Sequence, residues 1–299
     1  MQILWATNRH YEIDWEYSWI KELLGDIKYN IRNLTRIDDI VPDALIVFNH
    51  NIPYYQYLLQ YENMRISFGI IHLSDEYIND PIDIYNFKMC KFVFRNCYKP
   101  SLKDNTKVIQ FPLGYKYCFW ENYEGESPKN IKKRKYNWNF AGGMRENREE
   151  VLDLFSKHIS NNKVVIEIGN SFNEVKSGLS TKDYRELMMN SKFTLSPTGN
   201  VSVDCFRLYE ALECGSIPIT IARTKIQELY PSYWHIMFEE EPPFIIGETW
   251  DDALNKVKEL LKNEEEYEKC RIKCYEFWIN YKNKLKLSLK NEIFKLECS

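Results

Sequence analysis

Arg207 and Glu210 lie three residues apart in a segment with a helical pattern, so they share one face near the start of that helix. The turn before it contains Thr198, Gly199 and Asn200. Free backbone N–H groups and the positive end of the helix dipole there would suit a diphosphate. Arg207 would add a planar, permanently charged fork, and Glu210 could accept hydrogen bonds from ribose hydroxyls. Spacing alone equally fits a solvated ion pair within the helix.

A second possible anion site follows the predicted strand 138–141. Gly142 and Gly143 come next, and a helical pattern with early arginines begins just beyond them. Glycines allow a phosphate to approach the backbone closely, and Arg145 could reach it. The chain contains neither GxGxxG nor GxxxxGK[ST], which excludes a dinucleotide fingerprint and a P-loop.

Candidates for proton chemistry lie in the first half of the chain. His72 is the second-last residue of an apolar run over 66–73, and Asp75 and Glu76 follow that run. Carboxylates at the carboxyl end of a buried strand are well placed to accept a proton from a substrate. The alternative is that Ser74 or Asp75 only caps the next helix.

The elements that must position Arg207 form one predicted βαβ unit over 191–221. A strand at 192–195 meets a turn at 196–200, a helix covers about 203–214, and Gly215 leads into a strand at 216–221. Elsewhere the patterns predict strands at 1–7, 44–48, 90–94, 107–111, 164–168 and 242–246, and helices at 13–24, 54–61, 184–189, 226–230, 250–261 and from 264 onward.

This unit resembles the donor-binding region of the exostosin-type glycosyltransferases. Their pattern L-x-P-x-G … R-x-x-E-A-x-x-x-G-x-I-P is matched here by Leu195, Pro197, Gly199, Arg207, Glu210, Ala211, Gly215, Ile217 and Pro218. The run from 205 to 211, CFRLYEA, is similar to the ribitol xylosyltransferase branch of that family. The resemblance covers about thirty residues. Many members have Arg where this chain has Thr198, so that phosphate contact would have to come from another residue.

The resemblance implies an α/β protein of the GT-B class, with two Rossmann-like domains facing a central cleft. It also implies an inverting transferase that needs no metal or other cofactor. Related enzymes place an acidic residue after the strand that ends near His72, which favours Asp75 as the base, with Glu76 and His72 as alternatives. They also place an arginine after the strand-glycine turn, which favours Arg145 as a diphosphate ligand. The absence of an Asp-x-Asp pair agrees with metal independence.

The predicted reaction moves a sugar from a nucleoside diphosphate donor to a hydroxyl of a glycan or polyol phosphate. The donor is expected to be a UDP-sugar, with UDP-xylose as a candidate. Two other functions fit the same stretch. One is a module that binds a nucleotide-sugar or glycan without turnover, and the other is a fucosyltransferase-type enzyme with a GDP donor.

Composition places a domain boundary at the polar stretch 120–136, where the basic residues 132–135 are interpreted as solvated. The predicted division is 1–125, 126–265 and a helical tail at 266–299. The resemblance implies that the first domain would bind the acceptor and the second the donor. The tail is expected to return to the first domain, although its aromatic and basic residues also fit a peripheral membrane contact.

A net charge of −3, from 40 basic and 43 acidic residues, gives no general attraction for nucleic acid. The eight cysteines show no CxxC pairs and are predicted to be reduced thiols. Neither a signal peptide nor a membrane-spanning run is recognisable, so a cytoplasmic location is expected, with the Golgi lumen as the alternative if an anchor was removed. The oligomeric state is left open.

Overall fold

Two parallel β-sheets organise the chain in the computed structural model, which describes residues 1–7, 9–34, 40–49, 54–97, 99–145, 148–169, 175–199, 201–224 and 232–298. The chain divides into unit 1, Met1–Tyr117 with Lys282–Ser299, and unit 2, Cys118–Tyr281. The predicted fold class is confirmed: each unit is a Rossmann-like α/β layer structure.

Unit 1 has a six-stranded sheet in the order β2-β1-β3-β4-β5-β6, with every pair parallel. The elements are β1 Gln2–Ala6, α1 Tyr17–Leu24, β2 Asn30–Asn33, β3 Ala44–Asn49, α2 Tyr54–Met64, β4 Phe68–Leu73, β5 Cys90–Arg95 and β6 Val108–Gln110. All six residues of β4 are buried, as the continuous apolar runs of a sheet covered on both faces require. Helix α1 begins four residues later than predicted, because a 3₁₀ turn at Tyr11–Ile13 precedes it.

Unit 2 has a second six-stranded sheet in the order β12-β11-β10-β7-β8-β9, in which β9 alone is antiparallel to its neighbour. The elements are β7 Tyr136–Gly143, α3 Arg148–His158, β8 Asn162–Gly169, β9 Val175–Ser177, α4 Thr181–Met189, β10 Ser191–Leu195, α5 Phe206–Glu213, β11 Ile217–Ile221, α6 Tyr233–Phe238, β12 Ile245–Gly247, α7 Trp250–Leu261 and α8 Glu264–Glu297. The predicted βαβ unit is present, with α5 beginning three residues late. The helix predicted at 226–230 lies outside the described residues.

The stretch 120–136 belongs to unit 2, and the division falls before it, after Tyr117. Its basic residues are not all solvated, because Arg134 is only 9% exposed. The Arg134 guanidinium donates to four backbone carbonyls, those of Pro128, Met188, Ser191 and Cys214. These four hydrogen bonds explain why this charge is buried while its neighbours Lys132 and Lys133 are exposed.

The final helix α8 contributes to both units. Its first part packs in unit 2, where the Trp278 indole N–H donates to Oε1 of buried Glu213 at 2.7 Å. Its last part packs in unit 1, where Lys286 pairs with Glu22 at 2.6 Å. The predicted return of the last helix to the first domain is therefore confirmed. No helix in the described part of the chain has the length and apolar character needed to cross a bilayer.

All eight cysteines are free thiols, as predicted.

Candidate functional site

The ends of β7 and β10 bring the predicted anion-binding residues together in unit 2. These strands are parallel neighbours, so both lead into loops at the same edge of the sheet. The last pair in their register is Asn139 with Thr194. Beyond it, Gly142 and Gly143 form the end of β7, paired with β8, and not the predicted turn. The turn with Thr198 and Gly199 follows β10.

Arg207 bridges toward this edge from the second position of α5. Its Nε donates to the carbonyl of Ala141 at 3.0 Å, and its guanidinium carbon lies 4.5 Å from the centre of the Phe140 ring. Among the described residues, neither terminal nitrogen of Arg207 has a hydrogen-bonding partner. The side chain is half-buried, so it presents an oriented pair of donors at a water-accessible edge.

Gly142, near the end of β7, has no room for a side chain beside that guanidinium. A Cβ at this position would collide with Nη2 of Arg207. Its φ of +153° is also a backbone conformation that other residues rarely adopt. A Cβ at Gly143 would make only an ordinary contact, with the Glu167 carbonyl oxygen at 3.9 Å. The first glycine of the pair is therefore required by Arg207 and by its own backbone, and the second is not.

Arg148, the first residue of α3, connects the end of β7 with the turn after β10 and is only 7% exposed. Its Nη1 donates to the carbonyl of Gly143 at 2.7 Å, and its Nη2 donates to the carbonyl of Thr198 at 2.9 Å. The predicted ligand Arg145 lies one turn earlier and is exposed. Of the two arginines, Arg145 points to solvent and Arg148 holds the loops.

The turn before α5 offers fewer free donors than its sequence suggests. The Gly199 N–H already donates to the Ser202 carbonyl at 2.8 Å. Thr198 and Gly199 are half-buried, and Asn200 lies outside the described residues. The side chain of Arg207 is thus the best-defined donor at this edge.

Glu210 is 2% exposed, and its Oε2 accepts a hydrogen bond from the Tyr184 hydroxyl at 2.9 Å. Burial, together with the negative charge of Glu210, raises the pKa of Tyr184 well above its usual value. The hydroxyl therefore stays protonated and acts as a donor. Arg207 and Glu210 do not form the ion pair that the simpler interpretation required, because Arg207 donates to Ala141 and Glu210 accepts from Tyr184.

The predicted proton-transfer residues occupy the carboxyl edge of β4 in unit 1, where two of them are fully buried. Arg95 donates through Nη1 to Nδ1 of His72 at 2.9 Å and through Nη2 to Asp75. Because Arg95 can only donate, Nδ1 of His72 accepts, and its Nε2 donates to Oδ2 of Asp80 at 2.8 Å. Burial and the charge of Arg95 lower the pKa of His72, against the opposing influence of Asp80.

Asp75 shapes the turn that follows β4. Besides the ion pair with Arg95, its Oδ1 accepts from the backbone N–H of Asn79 at 3.0 Å and of Asp80 at 3.3 Å. Its exposed fraction is 0%. Glu76, the next residue, is half-buried and has the only solvent-accessible side chain of the three predicted candidates.

Three of these side chains, His72, Asp75 and Asp80, have ligand atoms within 4.8 Å of one another. They form the one such group in the parts of the chain that the structure describes. The donor set suits a divalent ion, but the guanidinium of Arg95 already contacts His72 and Asp75 from within the group. A buried cation there already compensates the carboxylates, so the cluster fits a structural role better than a metal site.

A further buried acid joins three loops at the same edge of unit 1. Glu16 is 1% exposed. Its Oε2 accepts from the Ser74 hydroxyl and its Oε1 from the Asn96 side-chain amide, both at 2.6 Å. The Ser74 N–H donates to Oδ1 of Asn96 at 2.8 Å. This triangle fixes Ser74 immediately before Asp75 and Glu76.

A family model described as the RXYLT1 C-terminal domain matches residues 117–295, more than half of the chain. The chain belongs to this family. The match with the RXYLT1 C-terminal domain includes Arg148, Arg207 and Glu210, whereas His72, Asp75 and Glu76 precede it.

Curated relatives agree with membership of the RXYLT1 C-terminal domain family. Ribitol-5-phosphate xylosyltransferase 1 of Homo sapiens is 25% identical over 257 residues, which are 80% of this chain and 56% of that protein. The Mus musculus protein of the same name is 27% identical over 119 residues, 39% of this chain and 27% of that protein. The chain thus spans about half the length of the human relative.

Solved structures show the same fold at low identity. Sucrose-phosphate synthase from Thermosynechococcus elongatus superimposes with a TM-score of 0.57 and 10% identity, covering 100% of both chains. Anabaena HepE, in complex with UDP and glucose, gives 0.56 and 8% over 97% of this chain and 100% of that one. A DNA-modifying β-glucosyltransferase gives 0.54 and 13% over 98% and 99%. The likeness establishes the GT-B fold.

Sequence reasoning missed Arg148, Tyr184, Arg95 and Glu16. A signal existed for Arg148, since an arginine at the start of a helix after two glycines is close to the turn. The other three are recognised only through partners that are distant in the sequence. Asp75 is 20 residues from Arg95, and Ser74 is 58 residues from Glu16.

Proposed function

We propose that this chain is a glycosyltransferase that takes its sugar from a nucleoside diphosphate bound at the carboxyl edge of β7 and β10. The donor is UDP-linked, and UDP-xylose is the first candidate because the curated relatives are named as xylosyltransferases. The motif around Arg207 supports a relation to the exostosin-type enzymes, because it has the L-x-P-x-G and R-x-x-E-A spacing of their pattern.

The observation that carries this proposal is that Arg207 is held in place by the fold through Nε and the Phe140 ring, while its terminal nitrogens remain available. A guanidinium anchored through Nε and supported by Phe140 loses little freedom when an anion binds. Its two terminal nitrogens have the right spacing to donate to adjacent phosphate oxygens. No carboxylate in the described part of the chain occupies these nitrogens. Exposed Arg145 can add a second positive charge from the neighbouring loop.

Glu210 fits the ribose half of the nucleotide. Its Oε2 is held by Tyr184, and Glu210 lies one helical turn after Arg207. A carboxylate oriented in this way can accept hydrogen bonds from ribose hydroxyls and position them relative to the diphosphate.

The reaction we propose inverts the anomeric carbon in one displacement. The acceptor hydroxyl oxygen forms a bond to that carbon while the bond from the carbon to the diphosphate oxygen breaks. The hydroxyl proton passes to a carboxylate, and the electron pair leaves with the diphosphate, where Arg207 stabilises the new charge. The arginines supply the positive charge at the leaving group, so we propose a reaction that requires no metal ion.

Glu76 is the base we propose, since it is the one of the three predicted candidates that is not fully buried. Asp75 and His72 then hold the turn through Arg95 and Asp80 instead of reacting. For the acceptor we propose the hydroxyl of a polyol phosphate or glycan, following the name of the relatives.

Binding without turnover is the second candidate function, and the burial of His72 and Asp75 favours it. A GDP-sugar donor, as in fucosyltransferase-type enzymes, is the alternative for the nucleotide. Both are decided by the same experiment.

The test is a panel of UDP, GDP and CDP sugars, first read as a rise in melting temperature and then as sugar transfer. UDP-sugars should stabilise the protein, and Arg207→Ala should weaken UDP binding about 10- to 100-fold, since hydrogen bonds to charged groups contribute about 1.5–3 kcal/mol. Lys262→Ala is the matched control, because it removes an exposed positive charge at the far end of α7.

A GDP-sugar as the sole ligand would contradict the UDP assignment. Stabilisation without transfer to any polyol or glycan would favour the binding module. If no nucleotide changes the melting temperature, the proposed function is wrong.

A further inference from the structure

Arg148 bridges two loops that the sheet itself does not join. The register between β7 and β10 ends at the pair of Asn139 with Thr194. Four residues along the chain from each member of that pair, Arg148 connects the carbonyl of Gly143, the last residue of β7, to that of Thr198 in the turn after β10, at 2.7 and 2.9 Å. The two acceptors are 55 positions apart in the chain, so this contact is a long-range one.

The contacts of Arg148 distinguish it from a direct ligand. Both of its terminal nitrogens already donate to backbone carbonyls, and the residue is 7% exposed. Arg207, in contrast, uses Nε for its carbonyl and leaves the terminal nitrogens at the edge of the sheet. Arg207 therefore has terminal donors available for a ligand, whereas those of Arg148 are used within the protein.

We propose that Arg148 is a positioning residue that sets the spacing between the loop that leaves β7 at Gly143 and the Thr198-Gly199 turn. The inference rests on the proposed function in taking these two turns of the chain as the walls of the diphosphate site. A planar fork with two donors in fixed directions can hold two carbonyls at one separation, which a lysine with a single head group cannot do.

The spacing matters because a diphosphate bound by Arg207 lies at the same edge of the sheet. Backbone groups placed about 1 Å too far apart lose much of their contribution to a bound anion. Removing the fork of Arg148 should therefore weaken nucleotide binding while leaving both sheets intact.

The first measurement is hydrogen exchange in the unliganded protein with Arg148→Met. We expect faster exchange at 143–145 and at 196–199, with the rest of β7 and all of β10 unchanged. Arg134→Met is the matched control, since it removes another buried guanidinium of unit 2 that holds carbonyls of Pro128, Met188, Ser191 and Cys214. It should speed exchange near those residues and leave the two turns unchanged.

The second measurement is UDP affinity by calorimetry. Arg148→Lys and Arg148→Met should weaken UDP binding about tenfold or more, and KM for the donor should rise with little change in kcat. Arg134→Met should lower the melting temperature without weakening UDP binding. Millimolar guanidinium should restore UDP affinity to Arg148→Ala, and methylammonium should not.

The two measurements fail separately. Exchange that rises only within α3, or that leaves either turn unchanged, overturns the positioning role whether or not UDP binds. Faster exchange in both turns with no UDP binding by the wild-type protein supports the positioning role and contradicts the proposed function. UDP affinity equal to wild type in Arg148→Met also overturns the inference.

Discussion

Three arginines of unit 2 show how contacts determine the role of one side-chain type. Arg134 donates to four carbonyls and is structural. Arg148 donates to two carbonyls on different loops. Arg207 uses only Nε in this way. Since each guanidinium has five N–H donors, the number already used within the fold decides how many remain for a ligand.

Glu76 and Asp75 are adjacent, yet substitution of Glu76 should affect activity and substitution of Asp75 should affect stability. Glu76→Gln removes the proposed base from an accessible position, so kcat should fall about 10²- to 10⁴-fold. The free energy of unfolding should change by only about 0.5 kcal/mol. Donor binding, measured by calorimetry, should be unchanged.

Asp75→Asn is the matched comparison. It leaves the buried charge of Arg95 without its carboxylate, which should cost about 3–5 kcal/mol of unfolding free energy. Thermal melting separates the two outcomes. Full transfer activity in Glu76→Gln, or an unchanged melting temperature in Asp75→Asn, would contradict these assignments.

At the residue level, the spacing of candidate side chains can be taken from the sequence. The partners that surround them in the fold cannot. Arg207 and Glu210 stand out through spacing, but the partners Ala141 and Tyr184 are 66 and 26 residues away. Asp75 is attractive as a base until Arg95 is placed beside it. Burial of a polar group depends on such distant partners, which local patterns do not contain.

At the level of elements, the end of β7 gives a prediction that two adjacent glycines test. Gly142→Ala should displace the guanidinium of Arg207 and weaken UDP binding about tenfold, or about 1.4 kcal/mol. Gly143→Ala should bind UDP like wild type, because its Cβ would make only an ordinary contact. Calorimetry measures both.

A double variant checks the cause. If the collision with Arg207 is responsible, Gly142→Ala in the Arg207→Ala background should weaken UDP binding no further. An additional tenfold loss in that background would show that the backbone, and not Arg207, is affected.

Elements with a clear apolar pattern were predicted well, including the short strands β3 and β5. Helix α7 was predicted with its observed bounds, since it has an apolar stripe and Thr249 as a cap that accepts from Asp252 N–H. Strand β2 was missed because three of its four residues, NIRN, are polar and the four alternate between exposed and half-buried. Its pairing with β1 is a tertiary effect that propensity does not show.

At the scale of the whole molecule, α8 should make the two units unfold together, because one 34-residue helix contributes to both. Asn283→Pro places a helix breaker at an exposed position just past the division, at a cost of about 3 kcal/mol or more. We expect one calorimetric transition in the wild type and two in this variant. Asn283→Ala, which keeps the helix, should retain one transition. Two transitions in the wild type would contradict the coupling.

The two-sheet organisation was predictable because apolar runs alternate with helical patterns along the whole chain. The division after Tyr117 was not, because the polar stretch that follows is held in unit 2 by Arg134 and Arg271, which reaches the carbonyls of Pro128 and Lys129. Polar composition alone makes such a segment look like a linker.

The membership of Lys282–Ser299 in unit 1 has a consequence for how the protein is made. A ribosome releases β1 before the part of α8 that completes unit 1, because all of unit 2 lies between them in the chain. Unit 1 therefore cannot be completed before unit 2 has been translated, in contrast to the usual order of folding during synthesis. Until α8 emerges, the apolar face that buries Leu285 and Leu289 stays uncovered.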